Sequence, residues 1–270
     1  MPASVRPSTT PSLSPGVLGR SCRNRRASGD SQLRSLGEPG SWCRPLSNRR
    51  LPDLERQARE FAAEISTALN GTVTNGVRLS IFMNASGRAV IGYRANKNRP
   101  LGESILLTAS RAPGRLCLDV LHTLDLDESG QSLTTNKSTY TLKEVDSDKP
   151  IITYDYARDP PNNYPDAHFH LHGESDAIRT MLRRCERGSD KPSDLHFPVG
   201  GRRLRPCLED LIEFCILERL VAPRKGWQEP LERSRGRYRE RQVRAAVRQH
   251  QVQAAEVLRR EGWRVSEPDD

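Results

Sequence analysis

Along residues 51–71, LPDLERQAREFAAEISTALNG, apolar side chains return at helical spacing: Leu54, Ala58, Phe61, Ile65 and Leu69. That period predicts an amphipathic helix with Gly71 as its stop. The period then changes to two. Val77, Leu79, Ile81 and Met83 share one face, NASG turns the chain, and Ala89, Ile91 and Tyr93 return inward, which is a hairpin signal. ESILLTAS follows as a third strand. RLCLDVLHTLDL alternates most clearly, with Leu116, Leu118, Val120, His122, Leu124 and Leu126 on one side. His122 interrupts that apolar stripe and reads as a hydrogen-bonded core histidine. QSLTT, TYTLKEV, IITYDYA and AHFHLHG continue the pattern, separated by polar turns and the loop RDPPNNYPD. Helical periodicity resumes in ESDAIRTMLRRCERG, with Ile178, Met181, Leu182 and Cys185 on its apolar face. RPCLEDLIEFCILERLVA follows, where Glu209 and Asp210 complement the positive helix end. A last helix, LERSRGRYRERQVRAAVRQHQVQAAEVLRREGW, is long and basic. Its expected packed stripe is Val243, Ala246, Val247, His250, Ala254 and Leu258. The expected fold is therefore α+β: an antiparallel meander of six or seven strands, preceded by one helix and followed by about three.

Composition divides the chain in three. Residues 1–50 are Ser-, Pro- and Arg-rich, with nine arginines against Asp30 and Glu38, and show no packing period. We expect them to be disordered, a non-functional extension rather than a nucleic-acid arm or targeting peptide. Residues 51–222 form the α+β domain, with 22 basic and 24 acidic residues, and residues 223–270 a basic helical extension with twelve against eight. The net charge of +9 thus belongs to the flanks, which argues against a general nucleic-acid-binding surface on the central domain. No run approaches the roughly 18 apolar residues of a membrane span. Six cysteines without any CxxC pair suit a reducing cytoplasm.

Three constellations can carry chemistry. PDAHFHLHGE sets His168, His170 and His172 at alternate positions, one file with about 7 Å between neighbours, while Phe169 and Leu171 face the core. Two neighbours can share an ion, but all three cannot, so a metal would need ligands from elsewhere, with Asp166 and His196 as candidates. The file serves equally as acid–base machinery, because imidazoles titrate near neutrality, or as the wet face of a strand. We assign no metal and no cofactor, and take His170 and His172, with His168 beside them, as a metal-independent acid–base group that Tyr154 and Asp155 orient. In DLHFPVGGRRLRP, Gly200 and Gly201 permit an anion-cradling backbone, and Arg202, Arg203 and Arg205 add charge ahead of a helix N-terminus. Arg233, Arg237, Arg241, Arg244 and Arg248 form a narrow stripe suited to a phosphate backbone or an acidic partner, or simply to solvent.

YDYARDPPNNYPDAHFHLHG and LHFPVGGRRLRPCLEDLIEF resemble uncharacterised proteins of high-GC bacteria, in which a histidine-rich strand follows a Pro-rich loop and leads into a P-x-LED-IEF helix. More distantly, the plan is similar to TumE-like toxin components of bacterial toxin–antitoxin pairs. The likeness spans roughly residues 150–217. We expect a cytoplasmic protein acting on phosphodiesters, RNA first. The alternative is a non-catalytic interaction module, toxin–antitoxin-like or regulatory, whose basic C-terminal helix docks an acidic partner or nucleic acid, with the histidines a polar face or an adventitious metal site.

Overall fold

The computed structural model describes residues 50–108, 116–160, 164–184, 191–200 and 205–266. The basic segment 1–49, Cys185, and Gly201, Arg202 and Arg203 lie outside them. Helix α1 (Arg50–Thr72) precedes strands β1 (Leu79–Met83), β2 (Ala89–Tyr93), β3 (Ile105–Leu106), β4 (Leu116–Leu126), β5 (Leu133–Glu144), β6 (Pro150–Ala157) and β7 (Ala167–Leu171). Helix α2 (Asp176–Arg184), a 3-10 turn (Pro192–Asp194) and β8 (Phe197–Pro198) come next. Helices α3 (Leu208–Leu217), α4 (Gln228–Gln249) and α5 (Gln251–Arg260) follow. The strands make one antiparallel sheet in the order β1-β2-β4-β5-β6-β7-β8, with β3 paired to β4 beyond the end of β2. Seven strands therefore run as a meander, as short polar turns between alternating segments require.

Alternation gives the sheet two unlike faces. Val120, Tyr140, Tyr154 and Phe169 lie opposite one another across β4 to β7. This row belongs to the face that α1 and α3 cover. Leu54, Ala58, Ile65 and Leu69 of α1 and Leu208, Leu211, Ile212 and Cys215 of α3 are buried there against Leu79, Ile91, Leu118 and Leu124. Each buried leucine or isoleucine there contributes roughly 1.5–3 kcal/mol by leaving water. The neighbouring rows, Leu121–Thr139–Asp155–His168 and Asp119–Thr141–Thr153–His170, point the other way and are largely polar.

Several local expectations change. Gly71 does not end α1, which continues to Thr72. A Cβ at this glycine would stand 2.7 Å from the Pro230 ring, so the residue lets α4 approach α1 closely. On α2 only Leu182 is fully buried and Met181 is exposed. The largest change is in α4. Its buried residues are Leu231 and Arg235, continued by half-buried Tyr238 and Gln242, whereas Val243 and Val247 are exposed. His250 is exposed at the break between α4 and α5, at φ −129° and ψ 55°. Hydropathy misplaced this stripe because its central residue is an arginine whose charge other elements neutralise. Arg235 is only 4% exposed and pairs with Asp210 at 3.2 Å, Glu213 at 2.6 Å and Glu232. Glu209, also buried, accepts the Ser234 hydroxyl, and Asp210 additionally accepts the Cys207 backbone N–H at 2.8 Å. The acidic start of α3 thus holds α4 down as well as complementing its own helix end.

Candidate functional site

The histidine file stands on the polar face because β7 alternates and its other row, with Phe169, packs inward. Phe169 lies against Tyr154 at 5.8 Å between ring centres and stacks on Phe197 at 4.9 Å. Leu171 is on the same side as Phe169 but is 41% exposed rather than in the core. Strand β8 runs alongside β7, with Pro198 opposite His168 and Phe197 opposite Phe169. Side chains alternate on entering β8 too, so Phe197 stacks on Phe169 and His196, the residue before the strand, meets the histidines.

The result is a trio. The ring centres of His168, His170 and His196 are 4.7–5.1 Å apart. One nitrogen from each lies within 4.8 Å of the others. His168 is buried at 8% exposure and its Nδ1 is 2.9 Å from the Pro165 carbonyl. The Nδ1 of His170 is 2.7 Å from the Ser193 carbonyl, which the 3-10 turn presents. Tyr164 stacks on His196 at 3.8 Å. Asp155, opposite His168 on β6, accepts the Thr139 hydroxyl at 2.6 Å with Oδ1 and sets Oδ2 3.8 Å from His170 Nε2.

His172, the expected acid–base partner of His170, is placed differently. Its Nε2 hydrogen-bonds Thr153 Oγ1 at 3.1 Å and its ring centre is 6.3 Å from that of His170. Burial and then the neighbouring His170 lower its pKa. Tyr154 does not orient any of these imidazoles, since it sits on the helix-covered face beside Phe169. Asp166 is not among the residues whose ligand atoms converge. His196, with Asp155, Tyr164 and the Ser193 carbonyl, completes the group. Only His196 and Asp155 carried a signal in the sequence, as chemically suitable residues near the file.

Gly200 lies two residues beyond Pro198, the partner of His168, and adopts φ 57°, the left-handed conformation that suits an anion-cradling turn. Arg205 leaves that group. Its guanidinium stacks on Tyr156 at 3.8 Å, with Tyr238 at 5.8 Å, on the helix-covered side. The arginine stripe of α4 turns partly inward. Arg237 and Arg241 reach Glu64 of α1 at 3.7 and 2.8 Å, and Arg241 also lies over the Phe61 ring. Arg233 pairs with Glu229 and Arg244 with Glu240. At Asp127, burial raises the carboxyl, but hydrogen bonds from Ser129 and backbone N–H groups and the charge of Arg248 together lower it. The stripe is therefore mostly neutralised within the chain.

Three imidazoles with a carboxylate beside them can move protons, bind an anion when charged, or donate electron pairs to a cation. Among the described residues no helix is long and apolar enough to cross a membrane. The chain matches no protein-family model, no curated protein and no solved structure.

Proposed function

We propose that the face carrying His168, His170 and His196 is the working site of a cytoplasmic enzyme acting on phosphodiesters, with RNA as the first substrate to try. One observation carries this reading: three imidazoles, two from β7 and one from the residue before β8, converge within 4.8 Å beside Asp155. Gly200 opens on the same edge of the sheet and suits an anion. The geometry favours His196 over His172 as the partner of His170, since their rings are 4.7 Å rather than 6.3 Å apart. An RNA-cleavage assay on the full chain tests it. His170→Ala and His196→Ala should each lower the rate by about 10²-fold or more, and His172→Ala by less than about tenfold. Equal losses at His172 and His196, or an unaffected rate in His170→Ala, would remove the reading.

A second reading is a toxin–antitoxin-like or regulatory interaction module. Its support is the exposure of Val243, Val247, Val252, Val257, Leu258 and Trp263 along and beyond α4 and α5.

A further inference from the structure

We propose that His168, His170 and His196 bind one divalent transition-metal ion of the zinc class, with the fourth position open beside Asp155. This deepens the functional reading above and rests on the same three histidines being its site.

The tautomers come first. A backbone carbonyl only accepts, so the 2.9 Å contact of His168 Nδ1 with Pro165 and the 2.7 Å contact of His170 Nδ1 with Ser193 place a proton on each Nδ1. In the neutral rings the remaining lone pair is then on Nε2. Ligating histidines are commonly fixed in this way, with the outer N–H donated to a carbonyl and the inner nitrogen turned to the ion. Two rings pinned like this converge with a third, that of His196, and a cation would sit among the three.

The spacing is next. Bonds of about 2.0–2.1 Å in a tetrahedral site put ligand atoms roughly 3.3 Å apart. One nitrogen of each ring lies within 4.8 Å of the others, so side-chain rotations of an ångström or so would complete the site. The supporting elements are a strand of the sheet and a short turn that Ser193 and β8 tie to it. Asp155 is not in the mutually close set, yet its Oδ2 is 3.8 Å from His170 Nε2 and its Oδ1 is anchored by Thr139. That places the carboxylate beside the ion rather than at its centre. It would accept a proton from a water in the fourth position.

The donors select the ion. Three imidazole nitrogens suit zinc, cobalt, nickel and copper, whereas calcium and magnesium require oxygen ligands. An ion held by three histidines with an open position also brings bound water close to neutral pKa. Its hydroxide, formed by giving a proton to Asp155, would attack phosphorus as the P–O ester bond breaks, the proton passing on to the leaving alcohol.

The experiment uses the untagged full chain, stripped with chelator and titrated with Co²⁺. One equivalent should bind with the visible bands of a low-coordinate cobalt site, and Zn²⁺ should displace it. His196→Ala should weaken binding by more than the roughly 10–100-fold that loss of an outer-shell partner costs, while His172→Ala should leave it unchanged. A measurement on the unaltered protein guards against a variant that fails to fold. Zinc should shift the imidazole nitrogen resonances of His168, His170 and His196 and spare those of His122 and His250. Absence of stoichiometric binding, binding that survives loss of His196, or resonance shifts at other histidines would overturn the proposal. Metal bound without RNA cleavage would leave the ion site standing and sink the enzyme reading. Cleavage undiminished by chelator, with no metal bound, would do the reverse.

Discussion

Histidines stand on both faces of the sheet, in opposite circumstances. His122 points into the helix-covered core, 3% exposed, between Phe61 at 5.2 Å and Tyr140 at 5.5 Å. Its Nε2 meets the Tyr140 hydroxyl at 3.4 Å and its Nδ1 finds no partner among the described residues. Burial, reinforced by the charges of Arg205 and Arg241, lowers its pKa to about 3. On the far side, two of the trio set Nδ1 against a backbone carbonyl, and their ring centres lie 5.1 Å apart. The same side chain becomes a neutral filler in one place and a donor group in the other. What separates them is the irregular backbone near the trio. A regular strand has no spare carbonyl for a side chain, whereas Pro165 and Ser193 stand outside the ladder and offer theirs.

The largest expected effect breaks this comparison from the core side. The unfolded chain takes up a proton on His122 near pH 6.5, while the native state refuses it until about pH 3. More protons bind to the unfolded state throughout that window, so stability falls as pH drops through it, by at most about 4–5 kcal/mol. Urea unfolding at pH 7 and pH 4 should show the loss, and His122→Gln should flatten it. An unchanged acid limb in that variant would mean His122 is already hydrated. Next in size is the ionic knot on the same face. Arg235→Ala strands Asp210, Glu213 and Glu232 around a hole and should cost about 3–4 kcal/mol in denaturant titrations. A cost under about 1 kcal/mol would show that water reaches the site. The smallest effect separates the two rows of β7. Phe169 is half-buried between Tyr154 and Phe197, so Phe169→Ala should cost about 2 kcal/mol, below the 3–5 kcal/mol of a fully buried ring. A larger loss from His170→Ala would reverse the assignment of the two rows.

Periodicity made the sheet legible, because alternation in β4 and β5 is set by one covered and one more polar face. It also put His168 and His170 side by side. It could not choose between His172 and His196, because that choice depends on β8 returning to pair with β7, a contact encoded in only two residues. On α4 the same logic chose the wrong side. Val243 and Val247 outrank Arg235 in hydropathy, yet the carboxylates that make Arg235 buriable lie on α3 as well as on α4 itself, and no window along α4 contains those of α3. The anion loop is only partly placed, since Gly200 is described and Gly201, Arg202 and Arg203 lie outside.

The contact between α1 and α4 has a kinetic consequence. Arg241 meets Glu64 across 177 residues, whereas nearly every strand of the sheet pairs with its immediate successor. Short loops close at little entropic expense and in microseconds. The meander therefore zips from its hairpins, while the clasp between α1 and α4 waits until most of the chain is in place. During synthesis the apolar stripe of α1 is made before the sheet it packs against, and its contact with α4 forms only after that sheet is complete. Its early partners are the strands directly behind it, so a chain halted before α4 keeps a sheet with one flank of α1 still bare.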